Sequence, residues 1–310
     1  MKQHLHALYG LKWDPFTPDI PTESLYQSKA VESFIWRIEQ HHIHDGGFAM
    51  IVGDPGTGKS CLLRLIAQKL EQIQGLKVQT FTHPQSTVRD FYHELGDLFE
   101  IPIQAHNRWN SFKSLRQKWQ QHLENQAIKP VLLIDEAQEM QTSVMNELRL
   151  LNSHHYDSRN LISVIFAGNI ALQARFRTTA SLLPLGSRIR KRIQMAHQSS
   201  EELLVCLNHQ LEQAGNSLLM TETLKQTLCD HALGNYRMLN VMSHELLEVA
   251  CQKKQKQLDE QLYFEVFAKT PLADKGGELK WSSFFDTPVK SSFIHISTVH
   301  PDRQETLKIS

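Results

Sequence analysis

Phe48-Ala-Met-Ile-Val-Gly53-Asp-Pro-Gly-Thr-Gly58-Lys59-Ser60-Cys-Leu-Leu-Arg-Leu-Ile66 holds a strand, a glycine loop and the start of a helix. The apolar run Phe48 to Val52 is too short and too β-prone to be anything but a buried strand. Gly53, Gly58, Lys59 and Ser60 then satisfy the phosphate-loop pattern G-x-x-x-x-G-K-S. Leu62, Leu63, Leu65 and Ile66 follow at helical spacing. Glycines let backbone N–H groups close around a phosphate, and the helix points its positive end at the same anion. The pattern predicts that Gly53, Asp54, Pro55, Gly56, Thr57, Gly58, Lys59, Ser60 and Cys61 cradle a nucleoside triphosphate. Lys59 would reach the β- and γ-phosphates, and Ser60 would hold Mg²⁺ through its hydroxyl.

The whole chain sets the limits. Its 310 residues suffice for one large α/β domain and a smaller companion. With 33 basic and 33 acidic residues, any contact with DNA must come from a local patch. No apolar stretch approaches the roughly 18 residues that cross a bilayer, and Met1 to His6 contains no apolar signal core. Cys61, Cys206, Cys229 and Cys251 form no C-x-x-C pair, which fits a reducing compartment. The expectation is a cytoplasmic protein that does not enter a membrane. The run His41-His42-Ile43-His44 lacks a third convergent ligand and reads as a solvated helix end. Mg²⁺ is the metal expected.

Along the chain, residues 1–25 are broken by Gly10, Pro15, Pro18 and Pro21 and read as an ordered arm laid over the domain. Ser28 to Gln40 predicts a helix capped by Ser28, with Val31, Phe34, Ile35 and Ile38 inward. Leu76 to Phe81 predicts a strand and Thr87 to Phe99 a helix. Ile101 to Leu123 contains no acid, and its helix turns Phe112, Leu115, Trp119 and Leu123 to one face. Lys113, Arg116 and Lys118 are therefore either a solvated face or contacts to the phosphates of double-stranded DNA.

Pro130 to Ile134 is a second buried strand, and Asp135-Glu136 leave its tip beside the phosphate loop. Asp135 would hold Mg²⁺, while a second acid, Glu136, is what a hydrolase adds to orient and deprotonate water. Leu161 to Ala167 ends at Gly168-Asn169, where Asn169 either meets a γ-phosphate or simply turns the chain. In Arg188-Ile-Arg190-Lys-Arg192-Ile, strand alternation predicts Arg190 and Arg192 on one side with Ile189 and Ile193 on the other. From Ser199 onward the pattern is helical: Ser199 to Leu211 behind a capping box, Thr221 to Leu233, Arg237 to Gln252 and Asp259 to Lys269. Beyond Ala273 it dissolves into either disordered padding or a partner-docking segment.

These motifs, in this order over residues 26–270, resemble the AAA+ ATPases. The resemblance implies a fold class of α/β type, a P-loop domain with a parallel sheet flanked by helices and then an all-α lid bundle. It implies an arm at 1–25, an AAA+ nucleotide-binding domain at 26–197, a helical lid at 198–272 and an extended tail at 273–310. Asp135 and Glu136 match Walker B, Asn169 matches sensor 1, and Arg237 in Gly234-Asn-Tyr-Arg237 matches sensor 2. Ser187-Arg188 looks like the arginine finger that completes a neighbour's site in a homo-oligomeric ring or filament, with Arg190 as the competitor.

Tyr9-Gly10-Leu11, Asp14-Pro15-Phe16, the Asp135-Glu136-Ala137-Gln138 box and Asn146 to Leu151 are similar to the group of ExeA and the TniB- and TnsC-type transposition ATPases. ExeA-like proteins add a membrane helix and a cell-wall-binding domain after the lid, and neither follows here. The expectation is therefore a DNA-binding ATP hydrolase that recruits or activates a transposase or other recombination protein. The alternatives are a secretion-assembly ATPase and a nucleotide-gated scaffold. A small-molecule kinase would have no use for Glu136 and Asn169, and a helicase would carry a later Q-x-x-G-R-x-x-R block that is absent.

Overall fold

The computed structural model describes residues 7–103, 107–126, 128–154 and 159–267. Five strands form one sheet: β1 (Gly47–Gly53), β2 (Leu76–Phe81), β3 (Lys129–Ile134), β4 (Ser163–Gly168) and β5 (Ile189–Met195). All neighbours are parallel, in the order β2-β3-β4-β1-β5. Parallel strands covered on both faces read as unbroken apolar runs, and every residue of β1 and β4 is buried.

Helices cover both faces. Phe48, Met50, Leu132, Ile134 and Phe166 point into one core, shared with α3 (Val88–Phe99), α4 (Arg108–Gln121), α5 (Thr142–Asn152) and α6 (Ile170–Thr178). Ala49, Ile51, Val131, Leu133 and Ile165 point into the other, shared with α1 (Lys29–Arg37) and α2 (Lys59–Glu71). Ser28 caps α1 through its side chain, as its position predicts, and Thr87 caps α3 in the same way.

Two local departures follow from one extra residue each. Helix α1 runs on into a π-helical turn, Ile38–His42, which leaves His41 and His44 exposed but carries His42 inside. His42 is thus no solvated helix end; burial lowers its pKa to about 4. In β5 the pairing with β1 slips between Phe48↔Ile189 and Ala49↔Lys191, so Arg190 is the added residue of a bulge. The regular alternation expected for β5 fails at that point. Ile189 packs on the Phe48 face and Ile193 on the Ile51 face, so the two isoleucines lie on opposite sides of the sheet.

The helical region comprises α7 (Ser200–Ala214), α8 (Glu222–His231), α9 (Tyr236–Lys253) and α10 (Glu260–Phe267) around its own apolar core. Ser199 accepts from the Glu202 N–H, and Gly215 closes α7 in the left-handed region. The arm ties the two cores together. Tyr9, Leu11 and Phe16 enter the helical core, Ile20 and Leu25 enter the sheet core, and Trp13 packs on both. Polar contacts pin it: Arg64 on α2 donates to Pro18 O at 2.8 Å and Ile20 O at 2.7 Å. Asp14 meets His244 on α9 at 2.8 Å, and the Tyr26 hydroxyl donates to Glu202 at 2.8 Å. The tail after Ala273 lies outside the described residues.

The acid missing from α4 comes from α5. Glu147 is buried and accepts from the Tyr92 hydroxyl on α3 and from the Arg108 guanidinium, whose Nε lies at 3.1 Å. Burial, and after it the bonded Glu147, push the Tyr92 hydroxyl pKa up. Glu147→Ala removes the shared acceptor of three helices and should cost about 2 kcal/mol of stability, read from the midpoint of urea unfolding.

Candidate functional site

The parallel register brings three strand ends to one edge. Val52 lies beside Gly168 and Ile134 beside Phe166, so the loop after β1, the acids after β3 and Asn169 after β4 converge there. Gly56 and Gly58 sit at φ 83° and 95°, a region that side-chain-bearing residues avoid. Lys59 opens α2 and folds back, its Nζ donating to Asp54 O at 2.8 Å. Thr57 Oγ1 donates to the same carbonyl at 2.8 Å. Burial lowers the pKa of Lys59, and the neighbouring Glu136 and Asp135 oppose the shift. Cys61 follows on the exposed side of α2.

Ser60 Oγ donates to Asp135 Oδ2 at 2.6 Å. Two hard oxygen donors therefore meet at the positive end of α2, a donor set suited to Mg²⁺ when phosphate oxygens and water fill the remaining positions. Among the described residues no group of three or more His, Cys, Asp or Glu side chains gathers. Asp135 Oδ1 in turn accepts from the Glu136 N–H at 2.9 Å. Glu136 itself adopts φ 48°, ψ 37°, a strained setting for a non-glycine residue that costs about 1 kcal/mol or more.

Glu136 and Asn169 are linked by a residue the sequence reading left without a role. Gln138 donates through Nε2 to Glu136 Oε2 and accepts the Asn169 N–H on Oε1 at 3.1 Å. Arg175 fixes the backbone of that segment, donating to Gln138 O and to Met140 O, the latter at 2.9 Å. Asn169 Oδ1 is buried without a hydrogen-bond partner among the described residues.

The helical region reaches the loop directly. Asn235 caps α9 with its Oδ1 and donates from Nδ2 to Pro55 O at 2.9 Å. The Arg237 N–H points to Gly56 O at 3.3 Å, and the charge of Arg237 adds to the lowering of the Lys59 pKa. His197, between β5 and α7, meets Asp54 at 3.3 Å.

Arg188 lies at the opposite edge. Ile189 pairs with Phe48 at the start of β1, and the seven residues of β1 span roughly 20 Å. Arg188, Arg190 and Arg149 line a cleft there with Asn152, Asn160 and Ser187. Neither Arg188 nor Arg190 is brought to the loop of its own chain.

The three residues of α4 read as DNA contacts, Lys113, Arg116 and Lys118, separate. Arg116 donates to Leu150 O at 2.9 Å, where burial lowers its pKa, so it serves the end of α5. Lys118 is half-buried. Lys113 is exposed and sits 5.8 Å over the ring of Trp109, which is 61% exposed and stacked on Phe112.

Residues 41–176 match the protein family described as an AAA domain. The chain has the P-loop AAA+ fold. It is 27% identical over 246 residues to the General secretion pathway protein A of Aeromonas hydrophila, covering 78% of this chain and 44% of that protein. The chain thus spans less than half the length of that curated relative. Among solved structures, the Aeropyrum pernix ORC2 protein in its ADP form superposes with a TM-score of 0.65 at 16% identity, over 82% of this chain and 72% of that one. The Drosophila ORC bound to DNA gives 0.61 at 15% identity, over 81% and 63%. The Aeropyrum pernix ORC1 protein in complex with DNA gives 0.60 at 14%, over 82% and 68%. The AAA+ fold implies nucleotide binding at its P-loop. No helix among the described residues is long and apolar enough to cross a membrane.

In the sequence Asn235 stands only as part of the Gly234-Asn-Tyr-Arg237 stretch, and its grip on the loop is a feature that sequence reasoning missed. A methyl at Gly56 would fall 2.8 Å from Asn235 Cγ and 2.9 Å from Arg237 Cβ, at a φ that alanine resists. Gly56→Ala should lower stability by more than about 1 kcal/mol and weaken nucleotide binding. Thermal melts with and without a fluorescent ATP analogue measure both.

Proposed function

We propose that this protein hydrolyses ATP only as a homo-oligomer, assembles on double-stranded DNA and there recruits or activates a transposase or other recombination protein. The observation that carries the first part is the position of Arg188, a strand length away from the P-loop of its own chain. A finger arginine so placed serves a neighbouring subunit's site, and hydrolysis then depends on assembly into a ring or filament.

Within each site, Lys59 and the N–H groups of residues 54–60 bind and orient the phosphates. Ser60 and Asp135 would hold Mg²⁺, which would supply positive charge to offset that of the phosphates. Glu136 accepts a proton from the attacking water, while Asn169 and Arg237 hold the γ-phosphate side of the site. Removing a finger of this kind costs roughly a thousandfold in rate or more. ATP bound between subunits joins them, and its hydrolysis loosens the joint.

Support for duplex DNA comes from α4, where an exposed Trp109 carries Lys113 on a helix without acids. It also comes from the two superposed proteins whose structures are described with DNA. The transposase as client rests on the resemblance of the Asp135-to-Gln138 box and the arm motifs. A second reading, a secretion-assembly ATPase, is favoured by the likeness to the General secretion pathway protein A.

Three outcomes are expected. Lys59→Ala should lose ATP binding, whereas Glu136→Gln should bind ATP and stay assembled without turnover. Arg188→Ala and Glu136→Gln, each nearly inactive alone, should regain phosphate release when mixed, because one supplies the acid and the other the finger. Full activity of Arg188→Ala alone would remove the trans assignment, and loss on Arg190→Ala instead would pass the role to Arg190. In electrophoretic shifts with ATP, duplex DNA should be retained by the wild type and released by Trp109→Ala/Lys113→Glu. Absence of any ATP-dependent shift would favour the secretion reading.

A further inference from the structure

We propose that Gln138 is a positioning residue for hydrolysis, a single amide that ties the carboxylate of Glu136 to the tip of β4. The inference rests on the reading of Glu136 as the water-activating group. Its geometry leaves little freedom. Oε1 of Gln138 must face the Asn169 N–H, a backbone donor at 3.1 Å that an amide nitrogen could not satisfy. Nε2 is then turned toward Glu136 Oε2. The main chain under this side chain is held by Arg175, which binds Gln138 O, Met140 O and Thr142 Oγ1, the last two at 2.9 and 3.3 Å.

The space that Gln138 occupies is reserved. A methyl at Gly168 would lie 2.6 Å from Gln138 Oε1 and 2.9 Å from Leu172 Cδ2. Glycine at the end of β4 thus lets the amide reach across. One carboxylate oxygen of Glu136 is engaged, and the rotation of the group about its side chain is fixed for the other. Because the same amide is bonded to the residue that carries the γ-phosphate-facing Asn169 side chain, a shift of the β4 tip is transmitted to Glu136 through two hydrogen bonds. Proximity of a base to its water is worth far more when orientation is set in advance.

Two substitutions separate this role from a structural one. Gln138→Met removes donor and acceptor. Gln138→Glu keeps the size and the acceptor for Asn169 but removes the donor to Glu136. Both should lower kcat for phosphate release at least about tenfold with the KM for ATP within about twofold. In a Glu136→Gln background neither should lower the residual single-turnover rate further, since the partner through which Gln138 acts is already gone.

An equal loss in both backgrounds, or a kcat within twofold of wild type, overturns the proposal. Thermal melts of each variant identify misfolding, and if Gln138→Met melts early the Gln138→Glu cycle decides alone. Should Glu136→Gln itself hydrolyse ATP like the wild type, the reading of Glu136 falls, a result distinct from failure of the Gln138 cycle.

Discussion

Parallel pairing of β1, β3 and β4 obliges their C-terminal ends to share one edge, and the arrangement of the candidate site depends on that shared polarity. The loop from Gly53, the acids after Ile134 and Asn169 arrive from three separate stretches of chain with no need for a dedicated contact to gather them. The same polarity sends the start of β5 to the far edge. A sheet with even one antiparallel strand in this set would have put the acids, the loop and Asn169 at different ends. The hydrogen bond from Ser60 to Asp135 is the local expression of this alignment.

The helical region adds what the sheet cannot. It meets the P-loop through main-chain groups, Pro55 O and Gly56 O, instead of through long side chains. Backbone-to-backbone and cap-to-backbone contacts tolerate little sliding, so the loop and the start of α9 share a narrow range of relative positions. Gly56 is the residue that makes this approach sterically possible.

Much of this was legible from residues alone, because strongly apolar runs and caps act locally. β2 and α3 fall on the stretches their patterns indicate, and Ser199 and Gly215 bound α7 as capping chemistry requires. What escaped reading has a common physical character. The bulge at Arg190 inserts one residue without any compositional mark, yet it reverses the facing of Ile193 relative to Ile189. The π-helical turn before β1 does the same for His42. Glu147, the counter-charge for Arg108, lies 39 residues away, so an acid-free segment looked more basic in sequence than it is in space. Gln138 was visible in its box, but its two partners become neighbours only through the sheet.

The arm gives the molecule an unusual division of labour. Residues 9–26 contribute apolar side chains to both cores and polar anchors to α2, α7 and α9, while belonging to neither the sheet nor the bundle. Mechanical coupling between them is thus carried partly by a leash. A substitution at Trp13, which packs on both cores, would therefore be felt by the sheet and the bundle together.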